Sequence, residues 1–102
     1  MKLNWTVKSL DDIDLYEAFI CLDDPDAAEE WSDLIRTKIQ RATLFPNSGR
    51  VVPEFNREDI REIIVQSHRI IYLVRDKKVL ILRVWHGAML LAETDVEVDG
   101  DQ

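Results

Sequence analysis

The chain has little of what builds a disulfide-linked, metal-bound or membrane-spanning protein. Its single cysteine, Cys21, excludes an intrachain disulfide and argues against a cysteine-based metal site. Apolar runs such as 70–74 and 79–82 fall far short of the roughly 20 residues that span a bilayer. No secretory signal is visible at the start of the sequence. We therefore expect a cytoplasmic protein with no membrane partner, no metal and no cofactor.

Glycine and proline are also scarce, with three of each, and no internal repeat or low-complexity segment is present. What is present is regular apolar patterning along most of the 102 residues, 46% of which are hydrophobic. A chain of this length supports one hydrophobic core but not two. The sequence therefore predicts a single domain over residues 1–94, followed by an acidic, disordered tail at 95–102.

The net charge of −7 hides a strongly uneven distribution of charged side chains. Residues 1–35 carry two basic and ten acidic side chains, a net charge of −8. Residues 36–89 carry eleven basic and five acidic ones, a net of +6, and residues 90–102 add five acidic ones. A basic middle suits an acidic partner, either a protein or a nucleic acid. The acidic ends weaken the nucleic-acid interpretation.

The spacing of apolar residues predicts one strand and two helices in the first half of the chain. Strict alternation over residues 2–8 indicates a strand with one face in water. Steps of three and four residues predict a helix over 10–22, with Ser9 as its N-cap. A second helix is expected from Pro25 to near Phe45, capped by Asp24.

The second half of the chain predicts a sheet. Turn residues at 46–49 end the helical part, and 50–58 form a mixed connector. Strand-like runs follow at 60–66, 68–75 and 79–86, and a short strand or helix is expected at 88–94. The short turns make the three strands antiparallel neighbours. The order β-α-α-β-β-β predicts an α+β two-layer sandwich, with a helical hairpin over a β-meander.

Five local motifs, in this order, resemble the RelE/ParE superfamily of toxins of type II toxin–antitoxin systems. The motifs are D-P-D-A-A at 24–28, F-P-N-S-G-R at 45–50, R-E-I at 61–63, H-R-I-I-Y at 68–72 and R-V-W-H-G at 83–87. The resemblance implies a toxin that arrests growth or stabilises a plasmid. It also implies a cognate antitoxin that neutralises the toxin by direct binding in a heteromeric complex.

Two activities occur in that superfamily, and the resemblance assigns residues to each. RelE-like members cleave mRNA on the ribosome, which requires cations at the phosphate and acid–base groups. For this activity the resemblance implies Arg69 as the phosphate contact. His86, at a strand end and with an ordinary pKa near neutrality, is the acid–base candidate, together with a residue of the 50–62 segment. ParE-like members bind and poison DNA gyrase instead. Binding of the target or the antitoxin is expected to involve Arg50, Arg61, Arg69, Arg83 and His86.

Each candidate residue also has a plainer interpretation. Arg69 on a strand face is a typical ion-pair partner, and His86 suits a structural or interface role. Cys21 lies in an apolar helix and is expected to be a packed core thiol.

Several departures from the superfamily pattern argue against RNA cleavage. Met89 stands where many members have an arginine, and Ile60 and Glu62 stand where RelE has lysines. The C-terminal region carries carboxylates, which repel a phosphate. The sequence therefore favours ParE-like gyrase binding, with a RelE-like endoribonuclease and a degenerate member that only binds antitoxin as alternatives.

Overall fold

Two helices and five strands follow one another over residues 1–98, the part of the chain that the computed structural model describes. They are β1 (Lys2–Trp5), α1 (Val7–Asp23), α2 (Pro25–Leu44), β2 (Arg50–Val51), β3 (Ile60–Val65), β4 (His68–Arg75) and β5 (Lys78–His86), with 3₁₀ turns at Pro46–Ser48 and Glu93–Val96. The predicted order of elements is confirmed. The structure adds β2, a short strand inside the expected connector.

The strands form one mixed sheet in the order β1-β5-β4-β3-β2. β3, β4 and β5 are antiparallel neighbours, as their short turns predict. β1 joins the sheet at its edge and runs parallel to β5, with Trp5 opposite Ile81. Parallel pairing needs a long crossover, which the helices and the meander supply. The α+β fold is therefore confirmed.

Helix α1 begins earlier than predicted, because its N-cap is Thr6 and not Ser9. The Thr6 Oγ1 accepts a hydrogen bond from the backbone N–H of Ser9 (3.1 Å), which is the usual role of an N-cap hydroxyl. The same hydroxyl donates to the backbone oxygen of Leu82 in β5 (2.8 Å). Thr6 is buried, β1 ends at Trp5, and α1 begins at Val7, so the alternation that reaches residue 8 does not continue as strand. Cys21, expected in the core, is exposed on α1, so the prediction of a packed thiol is wrong.

Helix α2 starts as the sequence predicts and supplies the larger part of the helical core. The Asp24 carboxylate accepts hydrogen bonds from the backbone N–H groups of Asp26 and Ala27. Its apolar stripe packs against alternate residues of the sheet, and the buried members of this first cluster are Trp31, Ile35, Ile39, Ala42, Val65, Ile70, Tyr72, Val79, Ile81 and Val84. None of the helices in residues 1–98 is long and apolar enough to cross a membrane.

The opposite face of the sheet has its own apolar cluster, covered by irregular chain. The buried members of this second cluster are Val52, Ile60, Ile71, Leu80, Leu82, Trp85 and Leu91. A turn and irregular chain occupy most of 88–94, where a strand or helix was expected, and a 3₁₀ turn follows at Glu93–Val96. Val96 packs on the second cluster, so packed chain reaches past position 95. Residues 99–102, on which the rest of the tail prediction falls, lie outside the described residues.

Candidate functional site

Three of the five predicted binding residues line one cleft at the end of the sheet where β3 turns into β4. The cleft has a volume of about 470 Å³, and its lining includes Arg50, Glu54, Arg69 and His86. Arg69 points to the face away from the helices, where it meets carboxylates. His86 makes a ring contact with His68, which packs on the helices. Arg69 and His86, the predicted catalytic pair, therefore line one cleft, but their side chains point to opposite faces of the sheet.

The guanidinium of Arg69 is held by two carboxylates. Its Nε donates to Glu62 Oε1 (2.5 Å), and its Nη1 and Nη2 donate to the two oxygens of Glu54 (2.8 Å each). The side chains of Arg69 and Glu62 are 7% and 0% exposed, so this pairing is screened little by water. The hydrogen bonds from Arg69 lower the pKa of Glu54 to about 2, and the carboxylates raise the pKa of Arg69 above its usual value.

A second guanidinium completes a network with no net charge. Arg50 Nε donates to Glu62 Oε2 (2.6 Å), so each oxygen of the buried Glu62 carboxylate accepts from a different arginine. Two arginines and two glutamates cancel. The network satisfies Glu62, a buried charge that would be very costly alone. We call Arg50, Glu54, Glu62 and Arg69 the four-charge network.

The four-charge network also fastens the C-terminal segment. Glu54 Oε2 accepts a hydrogen bond from the backbone N–H of Leu91 (3.3 Å). Leu91 is itself a buried member of the second cluster. The same carboxylate thus neutralises Arg69 and anchors the chain that covers this face.

The position of Arg50 is fixed by a close approach of backbone and side chain at Gly49. The Tyr72 hydroxyl accepts from the backbone N–H of Gly49 (3.1 Å) and donates to the backbone oxygen of Pro46 (2.7 Å). A Cβ at position 49 would lie 2.7 Å from the backbone oxygen of Glu62 and would also clash with the Tyr72 hydroxyl. The glycine of the F-P-N-S-G-R motif is therefore required by packing.

His68 is buried among aromatic rings. Its ring centroid lies 4.4 Å from that of Tyr16, 5.3 Å from that of Trp31 and 5.5 Å from that of His86, all in edge-to-face geometry. Within residues 1–98, neither of its ring nitrogens has a hydrogen-bond partner. Burial, with a smaller contribution from His86, lowers the pKa of His68 below its usual value of 6.5. Folding therefore favours the neutral form of His68.

The other two predicted binding residues lie outside the cleft. Arg61 donates to the backbone oxygens of Gly49 (3.0 Å) and Glu58 (3.1 Å). Arg83 makes a two-fold contact with the carboxylate of Asp12 in α1 (2.7 and 2.8 Å), which raises the pKa of Arg83. Both arginines thus act as internal ties, and their assignment as partner-binding residues stays a prediction.

Sequence reasoning missed the carboxylates that decide the chemistry of Arg69. Glu62 had a usable signal in the β3–β4 hairpin. Ile64 lies opposite Arg69, and Glu62, two residues before Ile64, lies on the same face of the sheet as Arg69. Glu54 had none, because it lies in the irregular connector. Among residues 1–98, no group of three or more His, Cys, Asp or Glu side chains is placed to hold a metal ion.

Comparisons with known proteins agree with this fold. The family model described as "ParE toxin of type II toxin-antitoxin system, parDE" matches residues 3–91. A solved chain titled "Chromosomal ParDE TA system from P. aeruginosa" superposes with a TM-score of 0.71 and 21% identity, covering 84% of this chain and 95% of that chain. No curated protein matches the sequence. Because the family model spans most of the chain, the protein belongs to the ParE toxin family of type II toxin–antitoxin systems.

Proposed function

We propose that this ParE-family toxin acts by binding and inhibiting DNA gyrase, and not by cutting mRNA on the ribosome. The observation that carries the proposal is the pairing of Arg69 with two carboxylates. Its Nε, Nη1 and Nη2 all donate to Glu62 or Glu54. The cation that RNA cleavage would require is therefore already occupied.

The electrostatics of the cleft support the same conclusion. The transition state of RNA cleavage at a phosphate is stabilised by preorganised positive charge. The four-charge network offers none in sum, and Glu54, with a side chain 21% exposed, would face the incoming phosphate. Two unit charges of like sign about 4 Å apart repel by about 4 kcal/mol near a protein surface. A binding mode that leaves Arg69 in place avoids this cost.

The proposal also includes a directly bound antitoxin and a cytoplasmic location, where gyrase and its DNA are found. Support for an antitoxin comes from the cation surplus of residues 36–89, which suits an acidic partner segment. Of the five predicted binding residues, Arg50 has a side chain that is 61% exposed to solvent, although its Nε pairs with Glu62. Two further arginines of the basic middle, Arg57 and Arg75, which are not among those five, have side chains that are 53% and 58% exposed.

The decisive experiment measures both activities on one preparation of purified toxin. We expect inhibition of gyrase supercoiling, and no codon-linked cuts in primer extension on translated mRNA. Absence of gyrase inhibition would refute the proposal. Cuts that disappear in Arg69→Ala would establish the RelE-like alternative. Induction without antitoxin that causes no growth arrest would indicate the degenerate alternative.

A second experiment tests the antitoxin surface. Arg50→Gln is expected to weaken binding of the co-produced antitoxin by about tenfold, because it removes a positive charge at the cleft without placing a second carboxylate beside Glu62. Arg36→Gln, an equal change at an exposed position of α2, serves as the matched control. Equal affinities of the two variants would remove Arg50 from the antitoxin contact.

A further inference from the structure

Positively charged side chains stand next to one another at one end of the sheet. Lys2, Lys78 and Arg75 occupy directly opposed positions on β1, β5 and β4. Opposed residues project from the same face of a sheet, and Leu80, two residues after Lys78, belongs to the second cluster. The three side chains therefore lie on the face away from the helices. With Lys77, in the turn between β4 and β5, we call Lys2, Arg75, Lys77 and Lys78 the cationic row.

This arrangement opposes what a sheet favours by itself. Like charges directly opposite each other on neighbouring strands destabilise a sheet. Lys78 faces a positive charge on both sides, Lys2 on one and Arg75 on the other. A lysine on the edge strand β1 can be explained by protection of the edge, but β4 and β5 lie inside the sheet and need no such protection. The row therefore gathers positive charge at a cost that an anionic partner would offset.

The turn that carries Lys77 is strained in a way that a glycine would relieve. Asp76 and Lys77 have φ values of 53° and 60°, the sign that a two-residue hairpin turn of type I′ requires. Such a turn favours glycine at its second central position, because the Cβ of any other residue at positive φ meets the following carbonyl oxygen. Lysine stands there instead, exposed at the tip of the hairpin. A strained residue that carries a charge indicates a function for that charge.

Carboxylates neutralise the arginine end of the row but not its lysine end. Asp59 pairs with Arg75 at 3.1 Å. The C-terminal segment adds two carboxylates to the cavity that Arg75 borders, Glu93 and Glu97. Among the ion pairs within residues 1–98, none involves a lysine of the row. The lysines are exposed, and their nearest carboxylate in sequence is Asp76 in the turn.

The acidic helical hairpin extends away from the row. Helix α1 runs along β5 towards the end of that strand, because Asp12 accepts from the Val84 N–H at 3.0 Å. Further along, the Tyr16 ring meets that of His68, with 4.4 Å between centroids. The helix then continues for about two turns to Asp23, past the turn between β3 and β4. The row lies at the opposite end, where β4 ends and β5 begins, so the net charge of −7 does not describe this surface.

We propose that the cationic row binds the backbone phosphates of double-stranded DNA. Its side chains on three neighbouring strands span about 10 Å. That length matches about three successive phosphates of one DNA strand, which rise about 3.4 Å each along the helix axis. The row contains no aromatic side chain on which unpaired bases could stack, and this favours a duplex over a single strand. The inference rests on the proposed function only in that gyrase acts on DNA and would bring a duplex beside the bound toxin.

The test titrates the full chain into a fluorescently labelled duplex, in the absence of gyrase, and measures anisotropy. We expect a dissociation constant of about 10 μM at about 0.05 M salt. The logarithm of the affinity should fall against the logarithm of the salt concentration with a slope of about −3, since each neutralised phosphate contributes about −0.9. The single strand of the same sequence should bind several-fold more weakly. Because gyrase is absent, a negative result would leave gyrase inhibition untouched, and the reverse also holds.

Charge-removing variants locate the contact on the row. Lys2→Gln, Lys78→Gln is expected to bind the duplex about tenfold more weakly and to reduce the size of the salt slope by about 2. Lys8→Gln, Arg36→Gln is the matched control, because it removes the same charge from α1 and α2. The control should keep the affinity within about twofold and the full slope. Equal thermal midpoints of these variants and wild type would show that folding is intact.

A third variant separates a binding role from a structural one. Lys77→Gly relieves the strain at positive φ, so it should raise the thermal midpoint by a few degrees. It also removes a charge of the row, so it should weaken duplex binding by about threefold. A lysine with a purely structural role would not lose binding while folding improves.

Four outcomes would overturn the proposal. The duplex does not bind at about 0.05 M salt, the row and helix double variants show equal salt slopes, or the single strand binds more tightly than the duplex. In the fourth outcome an RNA duplex of the same sequence binds more tightly than the DNA duplex, which would contradict the assignment to DNA.

Discussion

The two faces of the sheet are held by different forces. The helix-covered face is closed by packing, and Ile35, Ile39 and Tyr72 are each no more than 1% exposed there. The opposite face buries Arg69 and Glu62 beside its apolar residues. The stability that packing contributes depends on side-chain volume, whereas the stability of buried charges depends on their ion-pair partners and on pH. The same five strands should thus respond to different perturbations on their two sides.

The difference follows from what covers each face. Helices satisfy their own backbone, so they need only an apolar stripe to dock. The irregular segment over the other face must place its polar groups on partners. It does so through single bonds from the sheet and the connector: Trp85 Nε1 to the Met89 oxygen (3.0 Å), Arg83 to the Asp95 oxygen (3.1 Å) and the Leu91 N–H to Glu54 (3.3 Å).

The largest expected effect is on the helix-covered face. Tyr72→Ala removes a fully buried ring together with the hydroxyl that joins Pro46 and Gly49. We expect it to lower the free energy of unfolding by about 4 kcal/mol, measured by urea denaturation. Tyr72→Phe keeps the ring and should cost only about 1 kcal/mol. Equal losses in the two variants would mean that the hydroxyl, and not volume, dominates this face.

On the opposite face the matching perturbation removes charge at constant volume. Glu62→Gln leaves Glu54 as the only carboxylate partner of Arg69 and turns one acceptor oxygen into an amide donor, so it is expected to cost about 2 kcal/mol in the free energy of unfolding. Arg50→Ala removes the exposed partner of the same carboxylate and should cost less than about 1 kcal/mol. A neutral effect of Glu62→Gln would show that the network contributes no stability to this face.

The same contrast decides what the sequence could predict. Packing requires regularly spaced apolar residues, so both helices and the β3-β4-β5 meander could be predicted from spacing. The start of α1 was predicted at the wrong residue, because the Thr6 hydroxyl donates to Leu82, a partner distant in sequence that spacing does not reveal. β2, two residues long, is too short for any period.

The candidate site was only half predictable for the same reason. Arg69 was proposed from the resemblance and His86 from its near-neutral pKa at a strand end, and the structure brings both to one cleft. The occupation of Arg69 by Glu54 depends on a connector that has no regular pattern, and only its folded path brings Glu54 to Arg69. Charge counts therefore indicated a basic middle of the chain, whereas the buried Arg69 within it is neutralised by Glu54 and Glu62.

Acid should loosen the charged face before the packed one. Glu54 has a folded pKa of about 2 against an ordinary value of 4.5, so its contribution to stability is complete above pH 4.5 and is lost as the pH falls towards 2. The excess stability of wild type over Glu54→Gln is expected to be about 1.5 kcal/mol at neutral pH, after allowance for partial exposure, and to vanish near pH 2. Glu58→Gln, at an exposed position nearby, is the control. A constant difference across this range would contradict the pairing with Arg69.

The smallest predicted effect tests whether the helix-covered face is indifferent to pH. His68 brings a titratable ring to it, in contact with Tyr16, Trp31 and His86. Because the folded pKa of His68 lies below 6.5, the unfolded chain binds a proton first, and stability falls as the pH drops below 6.5. The slope of the free energy of unfolding against pH can reach no more than about 1.4 kcal/mol per pH unit.

His68→Phe should flatten this pH dependence, measured by urea denaturation between pH 7.5 and 5.5 (about two units, enough to span the ordinary histidine pKa). His86→Phe should keep most of it, because burial is the larger cause of the shift. If His86→Phe flattens the profile as fully as His68→Phe, repulsion between the two imidazoles, and not the dry aromatic setting, controls the titration.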